Sequence, residues 1–210
     1  MVRQRTALVN QTRGILSEYG FVSVPGPKAF KTLMGEVTSP ECSGLTPLTK
    51  EQLCQAKKDF DHLTMRLDQL NKQLREIALN SPLCRLLLTI PGIGYLTATA
   101  TINAIGRGEQ FDHAREVAVW LGVTPRQYAS GEKGHMSGIT KRGDRYLRAL
   151  YIHGARAVLR VCKRPDDPVL NWARRLVARR GKHKAIVALA SRMARLAWTL
   201  IQKQEVYRAA

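Results

Sequence analysis

Leu53, Ala56, Phe60, Leu63, Leu67, Leu70, Leu74 and Ile77 recur at alternating steps of three and four, a seam held over more than three heptads. Steps this regular commit the segment to one long helix, because only a helix returns such positions to a single line. The stripe is narrow and suits a partner helix better than a broad globular core. The spacing therefore predicts a coiled coil, either joining copies of the chain through residues 53–77 or forming one arm of an intramolecular hairpin. Charges elsewhere on the helix nearly balance, with six basic against five acidic residues over 48–80. Thr49 reads as its N-cap, with Gln52 completing a capping box, and Ser81-Pro82 ends it.

The rest of the chain reads as a series of shorter helices. Residues 2–19 carry Ala7, Leu8, Ile15 and Leu16 near one face, and Gly20 stops them; the helix begins almost at Met1 without a clear cap. Pro25, Gly26, Pro27, Gly35, Pro40, Gly44 and Pro47 make 23–49 a linker with one short helical turn. Residues 83–105 read as helix, tight turn, helix about Pro91-Gly92-Ile93-Gly94. A short helix at 114–121 precedes a glycine-dense loop at 129–138, and helices are expected at about 143–161, up to Arg180, and over 183–203. No segment alternates with period two, so the fold class is mainly α.

Residues 126–184 hold sixteen Lys and Arg against four Asp and Glu, a net of +12 out of +18 for the 210-residue chain. Such a surface attracts polyanions through counter-ion release, whatever their sequence, and makes DNA or RNA a better partner than a small acidic substrate. No stretch approaches the apolar length of a membrane-spanning helix, and the first residues lack the apolar core of a signal peptide. Cys42, Cys54, Cys84 and Cys162 form no CxxC pair and no zinc spacing with the five histidines, so they read as reduced packing thiols and no metal site is expected.

Two constellations could carry chemistry. At the 91–94 turn, Gly92 and Gly94 leave backbone N–H groups unobstructed at the start of a helix, which suits a phosphate in the manner of a helix-hairpin-helix; a tight packing turn is the alternative. The second is Ser130-Gly131, set in a loop with Gly134 and Gly138 and followed by a helix bearing Arg145, Arg148 and Arg156. A hydroxyl that attacks a phosphodiester needs exposure, cations over the phosphate and a proton acceptor. Arg126, Lys133, Lys141 and Arg142 could supply the cations, and His135 or an acid from elsewhere the acceptor. A serine in a glycine loop is otherwise an ordinary turn residue. Trp120, Trp172 and Trp198 read as core, while Arg174, Arg175, Arg179, Arg180, Lys182 and Lys184 read as a further basic run open to phosphate or RNA. His62, His113 and His153 read as structural or solvated.

The strings IPGIGYLTATATINAIG, FDHAREVAVWLGVTPRQYASG and GHMSGITKRGDRYLR closely resemble the C-terminal domain of the DEDD-type insertion-sequence transposases, the bridge-RNA-guided recombinases of the IS one-ten and IS eleven-eleven groups. The resemblance implies a helical domain interrupted by a coiled coil. It also implies a serine nucleophile in the SG motif, here Ser130, that forms a phosphoserine intermediate. It further implies DNA and a guide RNA as partners in the bacterial cytoplasm, associated with the nucleoid. Members of the family add a RuvC-like N-terminal domain whose four acidic residues bind magnesium.

Residues 2–20 resemble the last helix of that RuvC-like domain. The expected organisation is a remnant helix at 1–22, a linker at 23–49, a coiled-coil helix at 50–80 and the transposase domain at 81–210. Before the coiled coil stand only Glu18, Glu36 and Glu41, with no Asp, which is too few carboxylates for a magnesium centre. No cofactor is expected in this chain; magnesium would enter only with the missing domain. The expectation is thus a truncated transposase without autonomous recombination. The alternative is a non-enzymatic nucleic-acid-binding oligomerisation module that modulates a full-length transposase.

Overall fold

The computed structural model describes residues 1–130, 133–162 and 166–209, with the backbone alone over 128–130 and 133–136. Among the described residues it contains nine helices and one two-stranded antiparallel sheet, so the mainly α expectation holds. The chain divides into two compact units, Met1–Gln73 and Leu74–Ala210.

In the first unit, helices α1 (Val2–Glu18) and α2 (Pro27–Val37) pack with the N-terminal part of α3 (Pro47–Asn80). Helix α2 lies inside the stretch expected to be a linker. The glycines and prolines that suggested a loop mark its boundary instead: Gly26 has φ +134 and Pro27 opens the first turn. Phe30, Leu33, Met34 and Val37 then fall on one face and are buried. The cap of α3 also differs from expectation. Pro47 begins the helix, and the Thr49 N–H donates to Thr46 Oγ1 at 3.2 Å, so the capping oxygen comes from Thr46.

The heptad seam of α3 does not present one uniform face. Leu53 and Phe60 are buried with Leu16, Phe30 and Met34, and the Phe30 and Phe60 rings lie 4.9 Å apart. Leu70 and Ile77 remain 47% and 60% exposed. The first half of the seam therefore closes on this unit's own helices, which the 3-4 spacing could not distinguish from pairing between chains.

The second unit is built around α9 (Lys182–Lys203), which packs against α4 (Pro82–Leu88), α6 (Ala114–Trp120), α7 (Arg145–Val161) and α8 (Pro168–Arg180). Along α9, Ala185, Leu189, Ala190, Met193, Ala194 and Ala197 are buried; the alanines allow close approach of neighbouring helices. Helix α5 (Tyr95–Ile105) packs on α4 and α7. Tyr151 of α7 lies in the core, where its hydroxyl meets Thr101 Oγ1 at 3.1 Å. Asp144 caps α7 through the Leu147 N–H. Asp167, fully buried, caps α8 through the N–H groups of Val169 and Leu170 and accepts from the Tyr207 hydroxyl.

The glycine-dense stretch expected as a loop at 129–138 lies, where the structure describes it, on strands β1 (Pro125–Ser130) and β2 (Lys133–Ile139). Their sequence lacks apolar alternation because a two-stranded ribbon can stand on ladder hydrogen bonds without a buried face. None of the described helices is long and apolar enough to cross a membrane.

Candidate nucleic-acid interface

The β1–β2 ribbon is anchored at its base and carries Ser130 at its far end. At the base, the Thr140 N–H donates to the Thr124 carbonyl at 2.9 Å and the Lys141 N–H to the Gly122 carbonyl at 3.1 Å. Glycine is required here: a Cβ on Gly122, whose φ is +73, would lie 2.8 Å from the Gly143 nitrogen, and one on Gly143 would strike the Trp120 carbonyl. The two segments cross at backbone contact, and Asp144 starts α7 one residue later. Along the ribbon the register pairs Gln127 with Met136, Tyr128 with His135, Ala129 with Gly134 and Ser130 with Lys133, with an irregularity at Arg126.

This geometry splits the cations expected around Ser130. Lys133 is its backbone partner. Arg126, Lys141 and Arg142 cluster at the base, where the Arg126 guanidinium donates to the Thr140 carbonyl at 3.0 Å and all three side chains are exposed. Arg126 is four residues from Ser130, roughly 13 Å at the rise of a strand. The side chains of Ser130, Lys133 and His135, and all of Gly131, lie outside the described residues, so the arrangement at the hydroxyl stays an expectation.

On α7, Arg145 is exposed, but Arg148 points inward. It is 8% exposed, and its Nη1 donates to the carbonyls of Leu121 at 3.2 Å and Gly143 at 3.0 Å. Its guanidinium ties the end of α6 to the start of α7, which makes it a positioning group beneath the ribbon rather than an open phosphate ligand. The 91–94 turn divides in the same way. Gly92, at φ +90, packs so closely on α7 that a Cβ would meet Val158, the Gly154 carbonyl and Met193 at 2.6–2.9 Å. Gly94 has open space around it and precedes the first turn of α5. Only Gly94 is placed where an anion could reach the helix N-terminus.

In the basic run of α8, Arg174 is engaged with Asn171 and the Cys162 carbonyl, whereas Arg175, Arg179 and Arg180 are exposed. Arg115, Arg192 and Arg195 belong to no sequence motif; the structure draws them together beside Trp172. With Trp172 they come from three helices; Arg192 and Arg195 share α9, and no local pattern links them to Arg115 or Trp172. No group of three His, Cys, Asp or Glu side chains able to hold a metal ion occurs among the described residues. These residues therefore do not fit the magnesium centre that the resemblance implies for the wider family.

Comparison with known proteins bears on the same region. The model of the transposase IS116/IS110/IS902 family matches residues 84–169, from α4 through the ribbon to the first turn of α8. Residues 84–169 carry the domain of this transposase family. It is similar to the transposase for insertion sequence element IS1111A of Coxiella burnetii, with 38% identity over 99% of this chain and 57% of that protein. A probable family 20 transposase of Pseudomonas aeruginosa is 37% identical over 99% of this chain and 62% of its own length. The pilin gene-inverting protein of Moraxella bovis is 34% identical over 42% of this chain and 29% of its own. The chain thus spans about three fifths of the length of the first two relatives.

Proposed function

We propose that this chain supplies the nucleic-acid-binding and serine part of a DNA recombination reaction that moves an insertion sequence. Ser130 Oγ gives up its proton and attacks a DNA phosphorus, an Oγ–P bond forms, the P–O bond to one sugar breaks, and that sugar oxygen takes up a proton and leaves as a hydroxyl. Exposed Arg126, Lys141, Arg142 and Arg145 hold the flanking phosphates, and Lys133 lies opposite the nucleophile in the ladder. The observation that carries this reading is that the family match spans the ribbon, with Ser130 at its end above a base of cations. A guide RNA and a second copy of the chain complete the proposed assembly. Relatives named for insertion-sequence transposition and for pilin gene inversion support the reaction class.

The test is covalent trapping. The chain, a full-length relative, magnesium, guide RNA and element-end DNA are incubated and resolved under denaturing conditions. Protein–DNA adducts on this chain are expected and should vanish in Ser130→Ala while DNA binding persists. Adducts that survive the substitution exclude Ser130 as nucleophile. Binding without adducts in either protein favours the non-enzymatic module.

A further inference from the structure

Arg115 of α6 and Arg192 and Arg195 of α9 line one open depression of about 480 Å³, together with Trp172 of α8. Arg192 and Arg195 are three residues apart and share a face of α9. The Arg192 guanidinium lies over the Trp172 ring, 5.0 Å from its centroid, which holds both in place. Arg195 Nε is buried without a hydrogen-bond partner. Burial lowers the Arg195 pKa, and the charges of Arg192 and Arg115 lower it further. The acid adjoining Arg115 is already engaged, since Glu116 Oε2 accepts from the N–H groups of Asp112 and His113 at its own helix start. Three guanidiniums gathered on one open depression, with no acid among its lining residues, make a seat for an anion that accepts from several donors at once, and phosphate is that anion.

What kind of phosphate follows from the neighbouring surface. Trp172 and Arg195 also line a second, mostly aliphatic groove of about 750 Å³. Its walls include Val187 and Ala188 of α9 and Pro125 and Ile139 at the base of the ribbon. A duplex keeps its bases stacked inside and has no use for such a trough. A single strand offers phosphates to cations and base faces to apolar and aromatic surface.

We propose that Arg115, Arg192 and Arg195 seat the phosphates of a single-stranded nucleic-acid segment whose bases lie in the groove between α9 and the ribbon base. This deepens the recombination reading and rests on it. It specifies the form of the strand and leads it to the foot of the element that carries Ser130.

The experiment measures anisotropy of labelled oligothymidylate and of a duplex of equal length over a salt series. The intact chain is compared with the triple variant Arg115→Gln, Arg192→Gln, Arg195→Gln. A control, Lys31→Gln, Lys58→Gln, Lys72→Gln, removes equal charge from exposed positions of the first unit. The arginine triple is expected to weaken single-strand binding at least about tenfold and to flatten the salt slope by about 2, three contacts at ~0.7 each. Duplex binding and the lysine control should change less. Equal losses in the two triples, or equal losses for single strand and duplex, overturn the inference. Should the arginine triple lose helical circular dichroism, Val187→Glu, which puts a carboxylate in the groove, carries the same tenfold expectation, and unchanged affinity there overturns it. An intact chain with no salt-dependent affinity for either polymer removes the recombination reading as well; intact binding with a neutral triple removes this inference alone.

Discussion

Arg145 and Arg148 show how much a position three residues away can change the meaning of a side chain. Both stand on α7 in a basic run, and by spacing alone they are equivalent. Burial separates them, because Arg148 reaches back to two carbonyls that close the ribbon base while Arg145 faces out. Arg148→Ala is expected to cost about 2 kcal/mol in urea denaturation through two lost charge-assisted bonds. Arg145→Ala should leave stability within about 0.5 kcal/mol and lower DNA affinity instead. The reverse pattern would exchange their roles. Tyr151 gives a pH-dependent counterpart. Burial pushes its hydroxyl up to about 12 from an ordinary 10.0, against a smaller opposing effect of the Thr101 hydrogen bond. The unfolded chain therefore releases this proton first as pH rises. The stability is whole below pH 10 and is lost as pH climbs toward 12, by roughly 2–3 kcal/mol. Tyr151→Phe should remove that portion of the alkaline slope, read from denaturation midpoints at pH 9 and 11. A slope identical to that of the unmodified chain would refute the assignment.

At the scale of elements, the helices were legible where periodicity and punctuation agreed. Asp144 and Asp167 cap the starts of α7 and α8, and Gly181 divides α8 from α9, close to the helix bounds expected from the chain. The ribbon was not legible, because its strands are short and rich in glycine and polar residues and carry no alternating face. Helix α2 was missed for the opposite reason: its apolar stripe was present, but dense prolines and glycines outweighed it. The heptad seam was read correctly as a helix and incompletely as an interface. Its first half buries Leu53 and Phe60 within the chain, leaving Leu70 and Ile77 as the exposed continuation. If copies pair through α3, they pair there. The double variant Leu70→Glu, Ile77→Glu should shift sedimentation toward the monomer without lowering thermal stability, and an unchanged association state would exclude this face as the contact.

For the molecule as a whole, charge and packing are organised separately. The net +18 concentrates in residues 126–184, inside the second unit, whereas the α3 helix is nearly neutral. The apolar residues form two clusters with no member in common, one around Phe30 and Phe60 and one around Tyr151, Leu189 and Met193. All three tryptophans, Trp120, Trp172 and Trp198, belong to the second unit, so their fluorescence reports that unit alone, while far-ultraviolet circular dichroism reports helices of both. Phe60→Ala removes a buried ring and should cost about 3–5 kcal/mol where that ring packs. The expected result is a circular-dichroism transition that begins at lower urea, with the fluorescence midpoint unmoved. Tyr151→Phe should do the opposite, moving the fluorescence midpoint and leaving the early helical loss in place. The two cores share no side chain, and departure from coincident transitions is the signature of separate unfolding. If both signals moved together in both variants, the chain would unfold as one cooperative body, and the separation would be refuted.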